Sequence, residues 1–104
     1  MNELTIQVRE ERGGPVIVIA GKLVGTELGR LQRACLSALQ QLNSGELVID
    51  MSDVTYIDSL SIGRLIALNT MAKKDAKYLV LANAQKRVLD TLKTLHIDTL
   101  ITVR

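Results

Sequence analysis

The chain has 104 residues, enough for one domain with a real core, and we expect a single domain over residues 1–104. Its formal charge is +2 and only 2% of its residues are aromatic, which argues against binding nucleic acid by base stacking. The first residues lack a basic-then-apolar signal pattern, and no apolar run reaches the roughly 18 residues of a membrane span. These features predict a cytoplasmic protein without membrane insertion.

The first two predicted elements are strands joined by a hairpin. Leu4 to Val8 alternates apolar and polar residues, which is typical of a strand with one wet face. Pro15 to Ala20 is a continuous, mostly β-branched run, which is typical of a strand covered on both faces. Gly13-Gly14-Pro15 between them predicts the hairpin turn, and residues 21–25 predict a loop after the second strand.

A helix with one apolar face is predicted next. It begins at Thr26, the expected N-cap, and stops at Asn43-Ser44-Gly45. Its apolar residues are spaced three or four apart: Leu28, Leu31, Cys35, Leu39 and Leu42. Cys35 is the single cysteine, so no disulfide can form within the chain, and we interpret it as a core residue and not a reactive thiol.

Strands and helices alternate in the rest of the chain. A strand over residues 46–50 precedes an acidic, hydroxyl-rich loop, and a second helix covers residues 59–74. Gly63 inside its first turn is less favourable than Ala by roughly 1 kcal/mol, which indicates close packing or close approach by another molecule. The remaining elements are a strand at 78–82, a helix at 85–95 and a strand at 100–103. The order β-β-α-β-α-β-α-β predicts an α/β fold, with an N-terminal hairpin and helices packed on a mixed, mostly parallel sheet.

The motifs do not predict a catalytic site, and we expect neither enzyme activity nor a cofactor. A catalytic Ser59 would need a base, and the sole histidine, His96, lies in a turn after the third helix. No Gly-x-Ser-x-Gly elbow surrounds Ser59. Gly21 and Gly25 are better interpreted as a tight strand-to-helix turn than as a phosphate loop.

Charged clusters have plain interpretations as well. The carboxylates of Asp50, Asp53 and Asp58 could suggest a Mg²⁺ site. Asp50 is better explained as a strand-end residue and Asp58 as a helix cap, so no metal is expected. The basic residues at 73–77 and 86–87 are interpreted as solvated helix ends and not as a nucleic-acid or lipid patch.

Ser59 lies where a strand has just ended and a helix begins. A hydroxyl there is exposed, and a phosphate there would meet the positive end of the helix dipole. Spacing alone leaves two compatible interpretations open, an N-cap and a phosphorylation site, and favours the cap.

The segment from Leu47 to Ser59, followed by Ile62-Gly63, resembles the signature of STAS domains, and more narrowly that of anti-sigma factor antagonists. Residues 16–23 and 78–100 are similar to further parts of the family, so the resemblance covers nearly the whole chain. It implies that the unphosphorylated protein binds an anti-sigma factor, which is also a serine kinase of the GHKL ATPase type, and so releases a sigma factor. Phosphorylation of Ser59 would end the binding, and a PP2C-type phosphatase would restore it.

The resemblance also places the partner contacts around that serine. They are Leu23, Val24, Gly25, Asp58, Ser59, Leu60, Ser61, Ile62 and Gly63. The chain departs from the family at three positions, because a small residue is usual where Leu60 stands, Gly where Ser61 stands and Asp where Val24 stands. An acidic residue near the phosphorylation site helps to dock the kinase in family members. Val24 in place of that Asp therefore counts against pairing with a kinase.

A second hypothesis follows from Val24 and from the end of the chain. The sequence lacks the C-terminal helix common in the family. Either the chain is trimmed, or a partner or a second copy covers the sheet face left open, so a homodimer is one alternative. Small STAS proteins without that helix resemble the accessory subunit of phospholipid-trafficking ABC transporters, which packs on the ATPase. Binding would then be constitutive, and Ser59 would be only a helix cap.

Overall fold

The strands and helices occur in the predicted order. The computed structural model describes residues 4–43 and 45–104, so the expectations for residues 1–3 and for Ser44 lie outside the described residues. The strands are β1 (Thr5–Glu11), β2 (Gly14–Leu23), β3 (Gly45–Ile57), β4 (Lys77–Ala82) and β5 (Thr102–Val103). The α-helices are α1 (Leu28–Gln41), α2 (Ser59–Lys73) and α3 (Lys86–Thr94), with 3-10 turns at Gly25–Glu27 and Ile97–Thr99.

The strands form one sheet in the spatial order β1-β2-β3-β4-β5. β1 and β2 form the predicted hairpin, with Glu11 opposite Gly14 at the turn. The other neighbours pair in parallel, as expected of strands joined by helical crossovers. The prediction of a mixed, mostly parallel sheet is therefore confirmed.

One face of the sheet packs against all three helices. The core includes side chains from β2, β3 and β4 and the buried sides of the helices: Ile17, Ile19, Leu47, Ile49, Leu79, Leu81, Leu31, Leu65 and Leu92. Cys35 is fully buried in this core, and burial raises the pKa of its thiol to about 12. The interpretation of Cys35 as a core residue is confirmed.

Two segments that the sequence predicts as loops belong to strands. β2 continues through Gly21 to Leu23, and β3 continues beyond Asp50 to Ile57, paired in parallel with β2. In this extension the buried residues are Met51, Val54 and Ile57, spaced by three, whereas a regular strand alternates by two. Register shifts in the β2–β3 pairing account for the irregular spacing, which concealed the strand in the sequence.

Smaller differences concern an N-cap and one strand face. Thr26 is not an N-cap, because it lies in the 3-10 turn and α1 begins only at Leu28, without a side-chain cap. Within β2, Val16 and Val18 are only partly buried, so the described residues do not cover this strand on both faces as the sequence predicts. None of the helices among the described residues is long and apolar enough to cross a membrane.

Candidate functional site

The site lies where β3 ends and α2 begins, and Asp58 is the residue between them. Its backbone is extended (φ −101°, ψ 168°), and its Oδ1 accepts a hydrogen bond of 2.8 Å from the backbone N–H of Ser61. This is the geometry of an N-cap, so the prediction that Asp58 caps the helix is confirmed. Ser59 is the first helical residue, and its interpretation as the N-cap is wrong because the preceding carboxylate already occupies that role.

Asp58 also connects α2 to the end of β2. Its Oδ2 accepts a hydrogen bond of 3.0 Å from the backbone N–H of Gly25, and its own N–H donates to the Leu23 oxygen at 3.2 Å. One carboxylate thus fixes two chain segments that lie 33 residues apart in sequence. We call this arrangement the Asp58 bridge.

Hydrogen bonding lowers the pKa of the Asp58 carboxyl below its ordinary value. The donors are Ser61, through its hydroxyl and its backbone N–H, and the backbone N–H of Gly25. The Ser61 hydroxyl has a single proton to share between Asp58 and the Leu23 oxygen, whereas the two backbone N–H groups have no comparable competitor. Asp58 is therefore a fixed negative charge one residue before Ser59.

Ser59 is exposed on the first turn of α2. Among the described residues, no hydrogen bond to its hydroxyl is found, because Asp58 satisfies the first turn in its place. A hydroxyl at this position is open to an enzyme. The positive end of the helix dipole would also stabilise an anion attached to it.

Ser61 and Ile62, the second and third residues after Ser59, face the interior. Ser61 is 0% exposed, and its Oγ donates to the Leu23 oxygen at 3.1 Å. Ile62 is 5% exposed, and Leu23 is fully buried. The prediction that these three side chains contact a partner is corrected, since they hold β2 against α2 and are not at the surface.

Leu60 and Gly25 form a matched pair at the surface. Leu60 is 60% exposed, and its side chain lies directly over Gly25. A Cβ built on Gly25 would overlap Leu60 Cδ2 and contact Cγ at 3.0 Å. Val24 beside them is partly exposed. Leu60 stands at a position where the family usually has a small residue. Its side chain fits here because Gly25 has no side chain and leaves the space free.

Gly63 is exposed on the helix turn after Ser59, and a Cβ built there would meet no atom within 4 Å. The prediction of close packing is therefore wrong within the described residues. The alternative, close approach by another molecule, remains a prediction.

The outward side of α2 exposes several apolar residues. Leu60 and Met71 are 60% and 53% exposed, and Gly63 and Ala67 lie exposed between them. We call these four residues the outer stripe of α2. The sequence contains a signal for this stripe. Ala67 and Met71 are apolar residues of α2 that lie outside the positions facing the core.

Other candidate groups have structural partners. Asp50 Oδ1 accepts from the Ser52 N–H at 2.9 Å, and within the described residues no three metal-ligating side chains come together. Lys77 Nζ donates to the Leu39 oxygen at 2.7 Å, and Lys86 pairs with Asp90 at 2.8 Å. Asp50 lies inside β3 and Lys77 is the first residue of β4, so the interpretations of Asp50 as a strand-end residue and of Lys77 as part of a solvated helix end are wrong.

Comparison with known proteins identifies the family. Residues 6–102 match the family model described as "Mlab, STAS domain". The structure of an anti-sigma-factor antagonist (STAS) domain protein from Planctomyces limnophilus is similar, with a TM-score of 0.80 and 24% identity over 94% of this chain and 87% of that one.

Two further structures extend the comparison. An anti-sigma factor antagonist from Mycobacterium paratuberculosis gives a TM-score of 0.82 and 18% identity, over 97% of this chain and 85% of that one. A murine anion transporter of the solute carrier 26 family gives a TM-score of 0.69 and 14% identity, over 90% of this chain but 18% of that one. At such identities the solved structures establish the fold alone. Because the family model spans nearly the whole chain, however, the chain belongs to the STAS domain family.

Proposed function

We propose that this protein is an anti-sigma factor antagonist that works by partner switching. In its unphosphorylated form it binds an anti-sigma factor that is also a serine kinase of the GHKL ATPase type, and a sigma factor is released. The observation that carries the proposal is the exposed Ser59 hydroxyl at the start of α2, beside the fixed charge of Asp58. The chain itself has no catalytic role in this scheme, which we place in the bacterial cytoplasm.

The surface around Ser59 supports contact with a protein. The outer stripe of α2 begins beside Ser59 and exposes two large apolar side chains, Leu60 and Met71. Protein interfaces have an apolar core with a polar rim, and such side chains dominate their binding energy. Arg64, whose Nη1 donates to Gln32 Oε1 at 3.1 Å, provides a polar border on the same helix.

Phosphorylation of Ser59 would place a new charge at the edge of this stripe. A phosphate adds about −1.5 to −2 charge units at neutral pH and three oxygens that must be hydrated or bonded. It would lie one residue from the Asp58 carboxylate, whose pKa is already lowered and which therefore stays ionised. Repulsion and desolvation oppose the contact with the partner, whereas the helix dipole stabilises the phosphate. Phosphorylation is thus expected to break the contact with the partner while the fold persists. Removal of the phosphate by a PP2C-type phosphatase would restore the contact.

The test is phosphorylation followed by binding. The chain is incubated with the candidate kinase and MgATP, and the modified residue is mapped by mass spectrometry. We expect one phosphate, on Ser59 and none on Ser61, whose hydroxyl is buried. Calorimetric titration with the anti-sigma factor should show tight binding by wild type and Ser59→Ala, and binding weakened by about tenfold or more for Ser59→Asp. Tight binding by Ser59→Asp, or a phosphate on another residue, would contradict the proposal.

The second candidate is a constitutive accessory subunit on the ATPase of a phospholipid-trafficking ABC transporter. Two observations favour keeping it: Val24 stands where the resemblance expects Asp, and the matched family model is described by the name Mlab. The discriminating experiment titrates the chain against the candidate ATPase and the candidate kinase separately. Binding to the ATPase, with no phosphate transferred from the kinase, would favour the second candidate.

A further inference from the structure

A groove runs between α1 and α2 on the solvent side of the helix layer. Beside the first turn of α2, the Leu60 side chain lies over Gly25, which precedes α1. Further along, Arg64 Nη1 donates to Gln32 Oε1 at 3.1 Å. The contacting residues advance together along both helices, so α1 and α2 run side by side in the same direction.

The groove continues to the ends of the two helices. A depression of about 210 Å³ lies there, lined in part by Leu36 on α1 and Met71 on α2. From Leu60 to Met71 the helix makes about three turns, so the groove is roughly 16 Å long. We call it the α1–α2 groove. The two large side chains of the outer stripe of α2, Leu60 and Met71, lie at its two ends.

The two helices that form the groove carry charge of one sign. α1 contains Arg30 and Arg33, and α2 contains Arg64 and Lys73. Neither helix contains an acidic residue, although the chain has 11 of them. In α3, by contrast, a lysine pairs with an aspartate one turn away, which is the ordinary arrangement on a helix surface. The surface of α1 and α2 therefore lacks the acids that usually balance basic residues.

Arg64 lies within the groove, and Arg33 borders it on the side of α1. A Cβ built on Gly29 would meet Arg33 Nη1 at 3.5 Å, so this guanidinium lies back over the first turn of α1. Among the described residues, no carboxylate forms an ion pair with either arginine. The acidic residues that flank the two helices lie near the ends of the groove: Glu27, Asp58 and Asp75. The middle of the groove is thus positive and can pair with acids from another molecule.

We infer that the α1–α2 groove binds an acidic amphipathic helix of a partner protein. A third helix fits between two helices that run side by side, with its apolar face on the groove. Leu60 and Met71 select apolar side chains about three turns apart on that helix. Arg33 and Arg64 select carboxylates between them. This inference deepens the proposed function, and it rests on that function only for the protein that carries the helix, the anti-sigma factor.

Two other occupants complement the groove less well. A second copy bound about a two-fold axis through the groove would place Arg64 near its own counterpart, with no acid on α1 or α2 to separate the charges. An anionic membrane is flat, whereas the groove is concave and has only two large exposed apolar side chains to insert, Leu60 and Met71.

The position of Ser59 is consistent with an acidic partner. Ser59 directly precedes Leu60, so it lies at the start of the groove. A phosphate on Ser59 would place about −1.5 to −2 charge units beside the bound helix. Repulsion between the phosphate and the carboxylates of the helix would then oppose binding, in the direction that partner switching requires.

The first test uses a synthetic helical peptide of about 18 residues as the probe. It carries two leucines about three turns apart and two glutamates between them on the same face, and matched peptides carry glutamine or lysine in place of glutamate. Each is titrated into the isotope-labelled full chain and followed by NMR. The glutamate peptide should shift the amide signals of Gly25, Gln32 and Met71, and it should bind about tenfold or more tightly than the lysine peptide.

A charge reversal then tests the role of Arg64. Arg64→Glu should reverse the preference, so that the lysine peptide binds more tightly than the glutamate peptide. Arg9→Glu is the matched control, because it changes the net charge equally but lies beside Val16, on the sheet face opposite the helices. This control should keep the preference of wild type. Circular dichroism checks that both variants are folded.

Three results would overturn the inference. The first is equal binding of the glutamate and lysine peptides, or shifts confined to residues outside the groove. The second is movement of the groove signals with the concentration of the chain alone, which would show that a second copy occupies the groove. The third is co-sedimentation with phosphatidylglycerol vesicles that Arg64→Glu abolishes and Arg9→Glu does not, which would show that the groove binds a membrane.

The second test separates this inference from the proposed function. In calorimetric titration with the anti-sigma factor, Arg64→Glu should raise the dissociation constant by about tenfold, and Arg9→Glu should not change it. If Ser59→Asp weakens binding and Arg64→Glu does not, the inference about the groove is wrong and the proposed function stands. If the peptide results hold but the anti-sigma factor does not bind the wild-type chain, the proposed function is wrong and the inference about the groove stands.

Discussion

The first turn of α2 has an outer and an inner side with the same kinds of residue. The outer pair is Ser59 and Leu60, and the inner pair is Ser61 and Ile62. Leu60 is 60% exposed and Ile62 is 5% exposed, while Ser61 is fully buried and donates to the Leu23 oxygen. A serine followed by a branched aliphatic residue therefore occurs twice in succession, once for the surface and once for packing. Residue type does not separate the two roles here; position on the helix does.

The largest difference is expected for truncation of the two aliphatic side chains. Ile62→Ala should lower the free energy of unfolding by about 3 kcal/mol, because it removes a buried side chain and leaves a cavity. Leu60→Ala, the matched control, should change it by less than about 1 kcal/mol, because that side chain is already mostly in water. Urea unfolding monitored by circular dichroism measures both. Equal losses of unfolding free energy in the two variants would contradict the assignment of Ile62 to the buried side and Leu60 to the exposed side of the helix.

The next effect concerns Asp58, which precedes both pairs. Asp58→Ala should lower the free energy of unfolding by about 1–2 kcal/mol, because the Ser61 and Gly25 N–H groups both lose their acceptor. Amide hydrogen exchange should accelerate at those two residues in particular. Asp53→Ala is the control, since Asp53 is an exposed acid on β3 and should give a change near zero. Faster amide exchange at Ser61 alone, with no acceleration at Gly25, would indicate that Asp58 caps the helix without linking it to Gly25.

The same carboxylate should make stability depend on pH in a definite direction. Because folding lowers the pKa of Asp58, the ionised group stabilises the fold above about pH 3.9, the ordinary aspartate pKa. That stabilisation is lost as the pH falls through the lower pKa of the folded state. The difference in unfolding free energy between wild type and Asp58→Asn should therefore be constant near neutral pH and shrink in acid. A difference that grows in acid would contradict the assignment.

The sequence predicts those parts of the fold whose patterns are local. The helix face from Leu28 to Leu39 and the hairpin at Gly14 follow from apolar spacing and turn chemistry. The extension of β3 does not, because register shifts bury residues at intervals of three, which matches neither a regular strand nor a helix.

The candidate site divides in the same way. The position of Ser59 at a strand-to-helix junction follows from local pattern and is confirmed, whereas its role as a site stays a prediction. The Asp58 bridge is not predictable in this way, because Gly25 is 33 residues distant and contributes only a backbone N–H. The burial of Ser61 likewise depends on the Leu23 oxygen, which reaches it only because β2 extends further than its sequence indicates.

The smallest expected effect tests whether Leu60 and Gly25 are coupled. Gly25→Ala adds a Cβ that would overlap the Leu60 side chain, but Leu60 is exposed and can rotate away, so the loss should be about 0.5–1 kcal/mol. In Leu60→Ala the overlap with Cδ2 and Cγ is absent, and Gly25→Ala in that background should be close to neutral. A double-mutant cycle by urea unfolding should give a coupling of about 0.5 kcal/mol, near the limit of detection. If Gly25→Ala were equally destabilising in both backgrounds, its effect would come from the Asp58 bridge on the inner side and not from Leu60 on the outer side.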